Sequence, residues 1–162
     1  MTETVLDPRL LKYHEAALAA ARSFRQAESA LIDALIAVER ERVFVKLGYS
    51  SPFAYAVQAL GLSEAVAYNA IAVARKARAV PALRQEIAEG TIGISKARKI
   101  VSVLTLENQE AWLDKARTLS SRRLEQEVAR ENPRLATPEK ATYVSARRLA
   151  LSLGVSEELM LA

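Results

Sequence analysis

The chain has 162 residues, about half of them hydrophobic, with five glycines, five prolines and no cysteine. That length buries a core without staples, the hydrophobic content excludes a disordered chain, and the missing cysteine excludes disulfides, cysteine zinc sites and a thiol nucleophile. The net charge of +4 is concentrated, because residues 51–105 hold seven basic and three acidic groups while residues 1–50 hold seven of each.

Met1 to Arg9 carries acids and no apolar core, so it does not read as a secretory leader. No run approaches the roughly 18 apolar residues of a membrane span. The cytoplasm is the expected compartment and no membrane partner is expected. From Pro8, a first-turn residue, no proline or glycine follows until Gly48. Leu10, Ala17, Phe24, Leu31, Val38 and Val45 recur every seven residues, with Tyr13, Ala20, Ala27 and Ala34 as a companion row. This spacing predicts a long helix over residues 1–47. Its stripe, carried by Leu10, Tyr13, Ala17, Phe24, Leu31 and Val38, predicts homodimerisation. Packing of the helix on its own domain would give the same stripe.

Residues 48–133 read as a bundle of short helices. Ser51 and Pro52 form a cap and first helical residue, Phe53–Leu60 a short helix, and Gly61 its left-handed stop. Ser63 caps a second helix running from Glu64 to about Ala79, before Pro81. These are the dimensions of a helix-turn-helix, although any helical hairpin has them too. On the second helix, Val66, Ala70, Ile71, Ala74 and Ala77 are expected to face the core. Ser63 and the opposite face, Ala65, Tyr68, Asn69, Ala72, Arg75, Lys76 and Ala79, form the candidate DNA-binding surface. Small residues admit base edges, Tyr68 and Asn69 offer hydrogen bonds, and Arg75 and Lys76 offer charge for phosphates. Glu64 works against phosphate unless it accepts from a cytosine. The same basic excess is also what a solvated face would show.

Further helices are expected over Pro81–Glu89, Lys96–Leu104 capped by Ser95, Leu106–Thr118 with Trp112 in the core, and Arg122–Glu131 capped by Ser120 or Ser121. Lys96, Arg98 and Lys99 would hold a phosphate near the second helix, with Arg122 or Arg123. Beyond Pro133 the character changes. Arg134–Thr142 reads as a linker, Tyr143–Val155 as a strand, and Ser156-Glu157-Glu158 as the start of a helix. The apolar Leu159, Met160 and Leu161 there call for a partner or for more chain. The fold class is thus all-α: a long N-terminal helix, a bundle containing a helix-turn-helix, and a short strand near the C-terminus.

The runs Leu47-Gly48-Tyr49-Ser50-Ser51-Pro52-Phe53, Leu60-Gly61-Leu62-Ser63-Glu64 and Ala67-Tyr68 resemble the N-terminal helical region of bacterial HNH endonuclease-related proteins. So do Glu89-Gly90, Leu104-Thr105-Leu106-Glu107-Asn108 and the run from Ser121 to Ala129. The resemblance spans most of the chain and implies that a nuclease module follows. A more distant one is to the helix-turn-helix domain of ParB-type partition proteins, through Gly61, Ser63, Asn69 and Pro81 and the stretch Glu89 to Arg98. The second helix here is about one turn longer, so contacts beyond Asn69 are not carried over. No nucleotide-binding motif of that family is present, so no nucleotide switch is implied.

No active site is visible. His14 is the only histidine and lies beside the helix stripe, too few ligands for an HNH metal centre. The glycines are scattered, so no phosphate loop exists, and no metal or cofactor is expected. The expected function is helix-turn-helix binding of double-stranded DNA by a homodimer, in transcription regulation or DNA targeting. Two alternatives are the targeting part of an HNH endonuclease and a helical protein-interaction module.

Overall fold

The structure, a computed structural model, describes residues 7–132, 140–145 and 148–152. Among them are eight helices and one two-stranded hairpin, so the body is all-α. The first helix, α1 (Pro8–Arg40), is capped by Asp7, whose carboxylate accepts from the Arg9 amide at 2.8 Å. It does not continue to residue 47 as the heptad spacing predicts. Arg42 adopts a left-handed backbone (φ 53°), and a separate single turn, α2 (Val43–Lys46), follows. No glycine or asparagine announces that break, and a non-glycine residue in this region costs about 1–2 kcal/mol. The reversal returns Tyr49 to the Phe44 carbonyl and lays its ring edge-on to Tyr55, 5.5 Å between centroids.

Helices α4 (Glu64–Ala79) and α5 (Pro81–Glu89) have the expected bounds, whereas α3 (Pro52–Gln58) ends two residues short of Leu60 with Ala59 at its C-cap position, so the left-handed Gly61 turns the chain beyond the helix. Two expectations for the next pair are corrected. Helix α6 (Ile94–Ile100) is capped by Gly93, so Ser95 sits inside the helix, and it ends four residues before Leu104. Helix α7 (Gln109–Thr118) starts three residues later than Leu106, because Thr105 and Asn108 exchange hydrogen bonds in a turn of their own. Helix α8 (Ser121–Glu131) is capped by Ser120.

Helix α4 is the centre of the bundle and packs against α1, α3, α5 and α6. Helix α6 carries the contact on to α7 and α8. One hydrophobic cluster joins Ile32 and Leu35 of α1 to Leu83, Ile100, Trp112 and Leu124. The C-terminal part of α1 therefore belongs to the same core as residues 48–133, across the boundary expected at residue 47. Trp112 is the buried anchor expected of it, with the Lys115 ammonium 4.6 Å from its ring centroid.

The expected single strand over Tyr143–Val155 is instead a hairpin of β1 (Lys140–Ser145) and β2 (Arg148–Ser152), antiparallel, with Tyr143 opposite Leu149. β1 begins inside the stretch read as a linker, because alternation in a short window does not reveal a reversal within it. The expected helix start at Ser156 and the apolar residues 159–161 lie outside the described residues, as does the N-terminal segment 1–6.

Gly61 holds φ +67° in open space, with nothing within 4 Å of the position a Cβ would take. Gly61→Ala therefore adds backbone strain and no clash. A loss of about 1 kcal/mol is expected, read as a lowered urea midpoint with unchanged slope. An unchanged midpoint would mean that the turn is held by something other than its backbone.

Candidate nucleic-acid interface

Ser51 accepts from the Ala54 amide at 3.0 Å and Pro52 opens α3. After α3, the left-handed Gly61 turns the chain and the Leu62 amide donates back to Ala56 at 3.1 Å. Ser63 then accepts from the Val66 amide at 3.4 Å and starts α4. Ala56, Ala67 and Ala70 are buried, and their small side chains let α3 and α4 approach closely.

The outer face of α4 is where the sequence pattern places it. Ala65, Tyr68, Arg75 and Ala79 are exposed, and Ala72 is half-buried. The inner face differs in part. Val66 is exposed rather than in the core, because the first turn of α4 projects past its neighbours into a cleft with Glu28, Ile94 and Arg98. Ala67 and Val73 are buried and join the core beyond the positions that the sequence pattern marks.

The basic residues have divided fates. Arg75 donates to the Glu39 carboxylate of α1, Nη2 at 2.6 Å and Nε at 2.7 Å. Lys76 donates to the Leu104 carbonyl at 2.7 Å. Lys96 donates to the carbonyls of Ala116 and Leu119 at 2.9 Å each, closing the end of α7. Lys99 pairs with Glu125 of α8. An exposed ion pair contributes about 0–1 kcal/mol, so Arg75 can exchange Glu39 for a phosphate at little cost. Lys76 and Lys96 are half-buried and each donates to main-chain carbonyls, Lys76 in the loop after α6 and Lys96 at the end of α7, so the fold uses part of the donor capacity expected for phosphate.

Arg98 does something the sequence does not announce. Its Nε donates to Asn69 Oδ1 at 3.2 Å, and its guanidinium lies 5.2 Å from the Tyr68 ring centroid. Arginine only donates, so the oxygen of the Asn69 amide is the atom turned to it, leaving the NH2 group for other acceptors. Arg98 thus orients the two hydrogen-bonding side chains of the outer face. Glu28 lines the same cleft, and partial burial pushes its carboxyl above the ordinary carboxylate range.

Sequence reasoning missed a groove on this face. Pro52 and Phe53 of α3, Tyr68 and Ala72 of α4 and Val101 after α6 border an open cavity of about 600 Å³. Phe53 and Val101 belong to other elements and show no shared periodicity with α4, so no local signal marks it.

The α1 stripe also splits. Leu10, Tyr13, Ala17 and Phe24 are exposed, Tyr13 at 70% and Phe24 at 64%. Leu31 and Val38 are half-buried against their own bundle, so the surface open to a partner ends near residue 27. His14 is exposed. No helix among the described residues is long and apolar enough to cross a membrane, and none of these residues gather as a metal-binding cluster. No family model, curated protein or solved structure matches the chain.

Proposed function

We propose that the chain is a DNA-binding module in which the first half of α4 enters the major groove. The observation that carries this reading is the outward face of α4: capped by Ser63, lined by Ala65 and Ala72, with Tyr68 and Asn69 oriented by Arg98. Small residues admit the helix to base edges, and an oriented amide donor suits base or phosphate acceptors. Arg75 and Lys99 supply phosphate contacts by exchanging their surface carboxylates. Lys76 and Lys96 support the fold around them. The resemblance to HNH endonuclease-related and ParB-type proteins agrees with this reading. It extends to a cytoplasmic protein that acts in transcription regulation or directs a nuclease to DNA, with no chemistry of its own in this chain.

The exposed half of α1 would pair two copies and present two α4 helices to a two-part site. Selection from a randomised duplex pool is expected to enrich two related half-sites at fixed spacing. Enrichment of no sequence would contradict it. Leu10→Glu/Phe24→Glu is expected to convert the dimer to a monomer in sedimentation equilibrium and to reduce selection to a single half-site. A wild-type chain that sediments as a monomer at all concentrations would rule out this pairing.

A second reading, a helical protein-interaction module, is favoured by the same apolar stripe and by the intramolecular partners of the cations. It expects no duplex binding at any salt concentration.

A further inference from the structure

The groove beside α4 points to a ligand. We infer that it binds a small organic anion, a flat apolar body bearing one carboxylate or sulfonate. Its volume, about 600 Å³, lies within the range of small-molecule sites, roughly 300–1,000 Å³. The floor and walls are apolar: Ile71 and Ala72 from α4, Phe53 from α3, and Val101. The polar groups are Tyr68, Arg75 and Lys76 on α4 and Ser51 at the start of α3, and no carboxylate lines the groove itself. With Arg75 paired to Glu39, Lys76 leaves one net positive charge beside the apolar chamber, which selects an amphipathic monoanion by charge as well as shape.

The two cations differ in what they can give. Lys76 spends one N–H on the Leu104 carbonyl, and its ammonium has two more. Arg75 is 56% exposed and uses Nε and Nη2 on Glu39, leaving Nη1 for a ligand oxygen. The occupant is a small molecule rather than a helix, because only Pro52 and Phe53 of α3 wall the groove on that side and its volume is that of a small-molecule site. The inference stands without the DNA reading. If both hold, ligand and duplex meet the same face of α4 and exclude one another, which would make the ligand an inducer that releases DNA.

The test uses 8-anilinonaphthalene-1-sulfonate, an aromatic sulfonate that brightens in apolar sites, with the full chain. Saturable binding of one dye per chain is expected. Ala72→Trp, which fills the groove, is expected to weaken it at least tenfold, and Arg75→Gln about fivefold. Leu10→Glu/Phe24→Glu alters the other exposed apolar surface and is expected to leave dye binding unchanged. Should Ala72→Trp lose its helical circular dichroism, Ala79→Trp at an exposed position of the same wall takes its place. No dye binding by the wild type, an unchanged titration in the groove-filled variant, or loss of binding in the α1 variant would each overturn the assignment.

Discussion

Ala65→Glu/Ala72→Glu is expected to weaken duplex binding about a hundredfold while leaving the helical circular dichroism unchanged. Both positions lie on the outer face of α4 and neither side chain is in the buried core. Glutamate is a good helix former, so the substitutions leave α4 intact. Each new carboxylate faces phosphates at several ångströms, with repulsion of about 1 kcal/mol per close phosphate at an effective dielectric between protein surface and water. Two carboxylates near one or two phosphates each sum to about 3 kcal/mol, roughly a hundredfold. Reversing Arg75 and Lys76 instead would confuse the result. A glutamate at 75 would oppose Glu39, and one at 76 would leave the Leu104 carbonyl without its donor. Unaltered affinity in the Ala65/Ala72 variant would remove α4 from the interface. Competition titrations of the two proteins against one labelled duplex make the comparison.

The second large effect is on stability. Leu124 is the only buried residue of α8 and is wholly enclosed, at 0% exposure. Around it, α8 is held by surface pairs, Lys99 to Glu125 and Lys115 to Glu127. Such pairs contribute little, so the helix docks through Leu124, with half-buried Val128 beside it against the core. Leu124→Ala is expected to cost about 2–5 kcal/mol, from lost transfer energy and the cavity left behind. For a chain of this size that is a fall of roughly 5–15 °C in melting temperature. Leu106→Ala, at a side chain 54% exposed, is expected to change stability by no more than about 0.5 kcal/mol. A melt of Leu124→Ala that overlays the wild type would show that α8 is held in some other way. The pair on Glu127 adds a pH dependence. Hydrogen bonding to Lys115 lowers its carboxyl below the ordinary range. A depressed carboxyl contributes stability above its unfolded pKa and loses it as pH falls through the folded value. Lys115→Met is expected to flatten the acid limb of the melting profile, whereas an identical profile would contradict the pairing.

What the sequence reveals here is mostly local. Caps and stops are written into single residues: Ser51 with Pro52, Ser63, Gly90, Ser120. The bounds of α4 and α5 follow from them to the residue. Trp112 is legible as core because it is the largest apolar residue of its helix. Three kinds of feature are not legible. The break at Arg42 rests on a left-handed arginine, a conformation its residue type disfavours. Ser95 looks like a cap but yields to Gly93, since the chain enters α6 from an extended glycine. The fates of the cations depend on partners far along the chain, Lys76 on Leu104, Lys96 on Ala116, Arg75 on Glu39. Periodicity states which side of a helix a lysine occupies, and it is silent on which carbonyl lies within reach. The groove is illegible for the same reason, being built from α3, α4 and the residue after α6.

The central claim is that α4 meets DNA, and the most direct test is a titration of the wild-type chain against a labelled random-sequence duplex at two salt concentrations. Binding is expected at low salt, with log K falling against log salt by about 0.9 per phosphate contacted. Contacts by Arg75 and Lys99 in each of two copies give a slope near −4. A chain that leaves the duplex free at the lowest salt, while folded and at the concentration where it pairs, would contradict the account and leave the apolar surfaces of α1 and the groove as its binding sites.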